Sequence, residues 1–461
     1  MASVITSPTY DPITTAAALA DKYVAARRDI LNSQTLQANA SARGLSGLGS
    51  AISAFQTSLA ALTGPGKTLY AQSVVFSDTA VGSGSADVTA ESGAYAFFVK
   101  QLATASQVSI AGLTTDKGVG GKLTLTMGSS FSLKIDLDVA DADKSGSLSP
   151  RELAAAINAA PGNASKITAS VVGTGTTAEL VLTAKDTGTG SAIKLDTSAV
   201  TGPSSLKANA GALRTLVEAK DAIVHVGGEN GTPIVQASNT FTNIDGVTMT
   251  FRKEQTAGSA PVTVTAGPNN AATTANVQAF VDAYNKLKTS LATMIYPGNP
   301  SSGAVAGTFA TDGGVRALHD RLVSLMRPAG STSLAAFGIV AGKDGTLEVR
   351  SDRLLAQLAI APNGLDKLIG SSSAANPSGI ANELDKYLKS WNDASSGQIS
   401  KRLAATQDLQ ASLTKREALI DQQYDSAYQR YLAQFTQLQS VQSIMNRNVS
   451  LFDALFGNDK N

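Results

Sequence analysis

The sequence predicts an α+β multidomain fold. Helices from both chain ends would form a coiled-coil or helical-bundle stalk, with antiparallel β-rich head domains inserted between them. Three observations predict it. Near the N-terminus, Leu45, Leu48, Ile52, Phe55, Leu59 and Leu62 are spaced 3, 4, 3, 4, 3, which puts one apolar stripe along a helix. Toward the C-terminus, Ile420, Tyr424, Tyr428, Tyr431, Phe435 and Leu438 are spaced 4, 4, 3, 4, 3, and Val441 and Met445 extend the stripe. Between the two ends lie Thr- and Val-rich runs that alternate polar with apolar residues and are punctuated by Gly, the pattern of half-buried strands.

In chain order, residues 14–40 carry a weaker helical pattern (Leu19, Tyr23, Ile30) that leads into the first seam. The helix should stop at Gly64-Pro65-Gly66, a breaker cluster. Residues 85–99 alternate around Glu91-Ser92-Gly93, and Leu123 to Met127 and Phe131 to Leu137 alternate across Gly128-Ser129-Ser130, a hairpin signature. Further strand-like runs lie near 167–172, 179–184, 221–226, 245–252 and 262–265, with one short helix at 150–159. Helical periodicity returns at 275, where Val277, Phe280, Tyr284, Leu287, Leu291 and Met294 form another seam. Shorter helices are expected at 314–327, 351–360 with Ser351 as N-cap, 364–369 and 378–391. No Pro or Gly interrupts residues 398–456. A helix that long with so narrow a stripe should pair with another helix, most simply the N-terminal one.

Composition bounds the function. At about 150 residues per domain, 461 residues allow roughly three domains. Lys plus Arg (37) balances Asp plus Glu (36), which gives no support to a nucleic-acid or other polyanion binder. Apolar residues at 43% and charged residues at 16% fit a folded chain. Cysteine is absent and the only histidines are His225 and His319. That excludes disulfides, thiolate zinc sites and cysteine nucleophiles, and leaves little for a His-rich metal centre. No run approaches the ~20 apolar residues of a membrane-spanning helix. Neither a basic nor an apolar region precedes Ala16 to Ala20, so a Sec-type signal is not expected. The expectation is a cytoplasmic protein or one exported without cleavage.

One local motif looks chemical. Asp141, Asp143, Ser145 and Glu152 fall at positions 1, 3, 5 and 12 of an EF-hand loop, with Gly146 at its sharp turn. Strand-like alternation precedes it where an EF-hand needs a helix. Ser149-Pro150-Arg151-Glu152 also reads as a capping box with Pro at the first helical position. The capping reading is preferred, no metal or cofactor is assigned, and calcium binding stays open. Gly66-Lys67-Thr68 ends a helix where a P-loop must open one. No Ser-His-Asp set or nucleotide fingerprint occurs, and the expectation is a protein that is not an enzyme. For the tyrosine stripe, the core of a helix pair is favoured over an inter-subunit contact.

Three stretches resemble the flagellar hook-associated protein 2 family, the filament-capping proteins. They are Leu45-Ser-Gly-Leu-Gly-Ser-Ala-Ile-Ser-Ala-Phe-Gln-Thr-Ser-Leu59 with Phe97 to Ala103; Ser238 to Phe251 with Phe280-Val-Asp-Ala-Tyr-Asn285; and Leu334 to Ile339 with Lys343 to Glu348. Arg151 to Ala159 is similar to a repeat of hook- and flagellin-associated proteins. Where the family usually opens Gly-rich, Ser7-Pro-Thr-Tyr-Asp-Pro12 stands here.

The resemblance implies a coiled-coil leg, D0, of residues 1–40 and 425–461, and a helical bundle, D1, of 41–75 and 272–424. It implies two β-rich heads, D2 (76–104 and 205–271) and D3 (105–204). The implied role is a homo-oligomeric ring at the filament tip that promotes flagellin folding and insertion and prevents monomer leakage. The implied partners are further copies of the chain, flagellin, hook-filament junction proteins and a flagellar export chaperone. Export would run through the flagellar apparatus. The resemblance moves the tyrosine stripe toward contacts among legs, junction and flagellin. The seam residues named for partner or oligomer contact are Leu45, Leu48, Ile52, Phe55, Leu59, Leu62, Tyr424, Tyr428, Tyr431, Phe435 and Leu438. Two other classes remain: a surface adhesin binding host glycans or mucin through its β domains, and, more distantly, a calcium-dependent hydrolase.

Overall fold

The computed structural model describes residues 11–175, 177–327 and 333–456. The chain divides into two compact units, one from both chain ends through Leu69 and from Thr273, the other spanning Tyr70–Ala272.

The end-derived unit is helical. Helix α1 runs Pro12–Thr63. Asp11 caps it by accepting from the Thr14 N–H, and Pro12 opens it, where a missing N–H costs nothing. It stops where the breaker cluster begins, at Gly64. Leu45, Leu48, Ile52, Phe55 and Leu59 are buried, and Leu62 is half-buried.

The β unit holds two separate apolar cores. In one, a five-stranded antiparallel sheet ordered Gln72–Phe76, Val262–Pro268, Gly93–Gln101, Ala222–Val226, Thr232–Gln236 accompanies a three-stranded sheet of Thr240–Ile244, Val247–Phe251 and Gly82–Ala86. Phe251 sits at its centre, edge-on to Phe76, Phe97 and Phe241 at 5.8, 5.9 and 5.3 Å. Glycine lets the small sheet close: a Cβ on Gly84 would lie 2.8 Å from the Thr248 carbonyl oxygen.

The second core lies within residues 108–206. The predicted hairpin forms as Gly120–Met127 and Phe131–Asp136 around Gly128, whose φ is 54°. A four-stranded sheet orders Arg214–Val217, Gln107–Leu113, Ala178–Ala184 and Ile167–Gly173. Helix α2, Pro150–Ala159, buries Leu153 and Ile157 in this core. A five-residue helix, α3 (Ser205–Asn209), adds Leu206.

The chain re-enters the helical unit through α4 (Asn270–Met294), followed by α5 (Gly313–Leu325), α6 (Ser351–Ile360), α7 (Gly364–Ile369), α8 (Gly379–Asn392) and α9 (Gln398–Phe456). Two of the family-like stretches meet here. The Tyr284 hydroxyl donates to the Gly345 carbonyl at 3.2 Å, and Asn285 exchanges two 2.8 Å hydrogen bonds with the Leu347 backbone. Together with the Lys288–Asp344 pair at 3.6 Å, they fix the hairpin Ile339–Ala341 and Leu347–Val349 on α4. Burial pushes the Tyr284 hydroxyl up to about 12, so it stays a donor at neutral pH.

Two expectations need correction. Ser351 is not the N-cap of α6: Arg350 holds that position without a side-chain bond, and Ser351 is the first helical residue. The 85–99 run is interrupted over 87–92, where Asp87 accepts from the Thr89 N–H and hydroxyl. An Asx turn has won there over strand propensity.

Candidate helix-pair interface

The residues proposed for partner contact lie on α1 and α9, which pack antiparallel. Arg28 reaches Asp421 at 3.1 Å, Arg27 donates to Gln423 at 2.7 Å, and Gln410 donates to Asn39 at 2.7 Å. This register sets residue 11 opposite about residue 438. Helix α9 therefore continues past the described start of α1.

Between the helices lie Val24, Leu31, Ala38, Leu413 and Ile420, all buried, with Tyr424 packed at the edge. Small residues on the two helices are buried as fully as the larger ones: Ala16 and Ala20 are fully buried, and so is Ala427 in all but 1% of its surface. Ala scores weakly in any apolar stripe, which hides these positions in the sequence. The signal was nonetheless present, since Ala16, Ala20, Val24, Leu31 and Ala38 recur at 4, 4, 7, 7.

The tyrosines flank this seam. Tyr424 and Tyr428 stack at 6.3 Å with rings 6° apart, and both are half-buried, as are Tyr431 and Phe435. Arg28 lies 5.1 Å from the Tyr424 ring, while Arg430 lies 5.8 Å from Tyr23 and 5.0 Å from Tyr431. Each such cation–π contact at a wet edge contributes about 0.5–1 kcal/mol, and the exposed Arg28–Asp421 pair no more than about that. The edge thus fixes register more than it supplies stability.

Burial decays along α9. Leu413 is 2% and Ala427 1% exposed, whereas Leu438, Met445 and Phe452 reach 46%, 53% and 64%. Val441, Ile444, Leu451 and Leu455 are exposed too. An apolar stripe with this periodicity is costly in water and suited to another helix. The N-terminal seam residues Leu45 to Leu59, by contrast, are covered within the bundle.

The other candidates make local hydrogen bonds. Glu152 completes the capping box: it accepts from the Ser149 N–H and hydroxyl at 2.9 and 2.7 Å and from the Ala142 N–H at 3.1 Å. These bonds, the Ser149 hydroxyl first, hold its carboxyl below the usual range. The cap is therefore complete above that range and weakens only as pH falls through the lowered value. Asp141 and Asp143 accept from the amides of Ser145 and Gly146. The Asp141, Asp143 and Glu152 carboxylates do converge within 4.8 Å. A strand and a single 3-10 turn enter the loop, so it is not an EF-hand. His225 lies in a strand with Nδ1 against the Glu229 carbonyl, and His319 lies on α5 beside Asp320. No helix among the described residues is long and apolar enough to cross a membrane.

Comparison with known proteins accounts for this plan. Residues 11–106 match the family model described as flagellar hook-associated protein 2 N-terminus, and residues 219–447 match its C-terminus model. The chain belongs to the flagellar hook-associated protein 2 family. The two matches flank residues 107–218, where the second β core lies. The lateral flagellar hook-associated protein 2 of Vibrio parahaemolyticus is 29% identical over 80% of this chain and 82% of its own length. The B-type flagellar hook-associated protein 2 of Pseudomonas aeruginosa is 28% identical over 88% and 87%. The D1-D2-D3 domains of the flagellar cap protein of Escherichia coli share the fold, with a TM-score of 0.61 at 24% identity, covering 79% of this chain and 99% of that one. The family is structural and not enzymatic.

Proposed function

We propose that this chain caps the distal end of the flagellar filament, as a ring of copies that holds incoming flagellin, promotes its folding and insertion, and prevents monomer leakage. Family membership supports the cap role. The observation that carries the mechanism is the fading burial of α9: its apolar stripe is exposed from Leu438 onward, and an exposed stripe of that spacing is suited to pairing with other helices. Residues 1–40 and 425–461 would be the leg and residues 41–75 and 272–424 the bundle above it. The head expected at 105–204 is extended through Val217, because Leu206 lies in its core and Arg214–Val217 pairs with Gln107–Leu113. That leaves residues 76–104 with 218–271 as the other head. Long helices paired along a narrow, Ala-lined seam are marginal alone and become ordered on pairing. Such legs could detach and re-dock as each subunit is added, in contact with flagellin and, below it, with junction proteins. Passage to the tip through the flagellar export apparatus, with an export chaperone holding the legs, completes the reading.

Deleting residues 1–40 and 430–461 is expected to leave a folded bundle and heads that no longer restore filament growth in a capless strain. Restored growth would refute the leg mechanism while leaving the family assignment intact.

A further inference from the structure

Apart from the leg, the helical unit carries a groove whose charge is not balanced within the chain. A cavity of about 550 Å³ opens among α5, α7 and α8. Ile380, Leu325 and Leu368 line it, the first buried and the other two half-buried. Arg321, Arg327 and Lys367 line it as well, all exposed, against a single carboxylate, Glu383. Among the described residues these three cations enter no ion pair, whereas elsewhere in the same unit Arg402 pairs with Asp312 at 2.7 Å and Lys389 with Asp385 at 2.6 Å. Like charges gathered around one concavity repel each other and attract a carboxylate brought to the same place.

We propose that this groove docks an acidic amphipathic helix of another protein. Apolar side chains of that helix would cover Leu325, Leu368 and Ile380, and its carboxylates would meet Arg321, Arg327 and Lys367. A groove among helices with an apolar floor suits apolar anchors spaced i, i+3, i+4, i+7. The guanidinium groups can each take a carboxylate in a two-point bond. A small polyanion would leave the apolar floor wet. A nucleic-acid strand would meet Glu383 and no aromatic platform on which to stack. The inference stands independently of the cap reading, because it rests on this groove alone.

The test uses the full chain and two synthetic helical peptides of about 18 residues, long enough to hold a helix. Both carry the same leucine stripe; one has Glu and the other Lys at the flanking positions. Fluorescence anisotropy should show saturable binding of the Glu peptide, at least roughly tenfold tighter than the Lys peptide and weaker as salt rises. The double variant Arg321→Glu/Lys367→Glu should lose at least roughly tenfold, and Arg321→Gln/Lys367→Gln a smaller factor. All four changes are at exposed positions, and circular dichroism checks that helix content is kept. Equal affinity for the two peptides, no saturable binding of the Glu peptide, or unchanged binding by the folded Glu double variant would each overturn the proposal.

Discussion

Phe55→Ala is expected to destabilise the helical unit by about 3–5 kcal/mol, the cost of emptying a well-packed aromatic site. Phe55 is 2% exposed, on the seam between fully buried Ile52 and nearly buried Leu59. The chain contains a single tryptophan, Trp391, on α8, under the guanidinium of Arg402 at 5.4 Å. Its emission therefore reports this unit. The denaturant midpoint followed by Trp391 should fall clearly in the variant. An unchanged midpoint would mean that Phe55 does not sit in the bundle core.

Phe251→Ala should cost the β unit a similar ~3–5 kcal/mol. Its ring makes all three edge-on contacts of the Phe76, Phe97 and Phe241 cluster, each contributing about 0.5–1.5 kcal/mol beyond simple burial. Here the readouts should separate. Protease resistance of residues 70–272 is expected to fall while the Trp391 transition stays where it was, because Phe251 and Trp391 lie in different compact units. A variant that shifted the tryptophan transition as far as Phe55→Ala does would contradict that division.

What the sequence made legible was local. Gly64-Pro65-Gly66 stops α1, Ser149 and Glu152 cap α2, and alternation across Gly128 makes a hairpin, because each signal lies within a few residues of its effect. The seams were legible for the same reason, since 3.6-residue periodicity needs no partner to be seen. Sheet order was not. Gln72–Phe76 pairs with Val262–Pro268 across nearly two hundred residues, and nothing in either run names the other. Arg214–Val217 was missed because all four residues are exposed on an edge strand and so carry no alternation. The buried alanines of the α1–α9 seam were missed because close helix approach selects small residues that hydrophobicity ranks low. The basic groove was invisible as well: its residues come from three helices, and only the fold brings them together.

The central claim is that this chain closes the growing tip of the flagellar filament. The measurement that tests it most directly is the fate of flagellin in a strain lacking the chain, with and without the full-length chain supplied in trans. The account predicts monomeric flagellin in the medium and no filaments without it, and filaments restored with it. Filaments of ordinary length growing in its absence would contradict the claim.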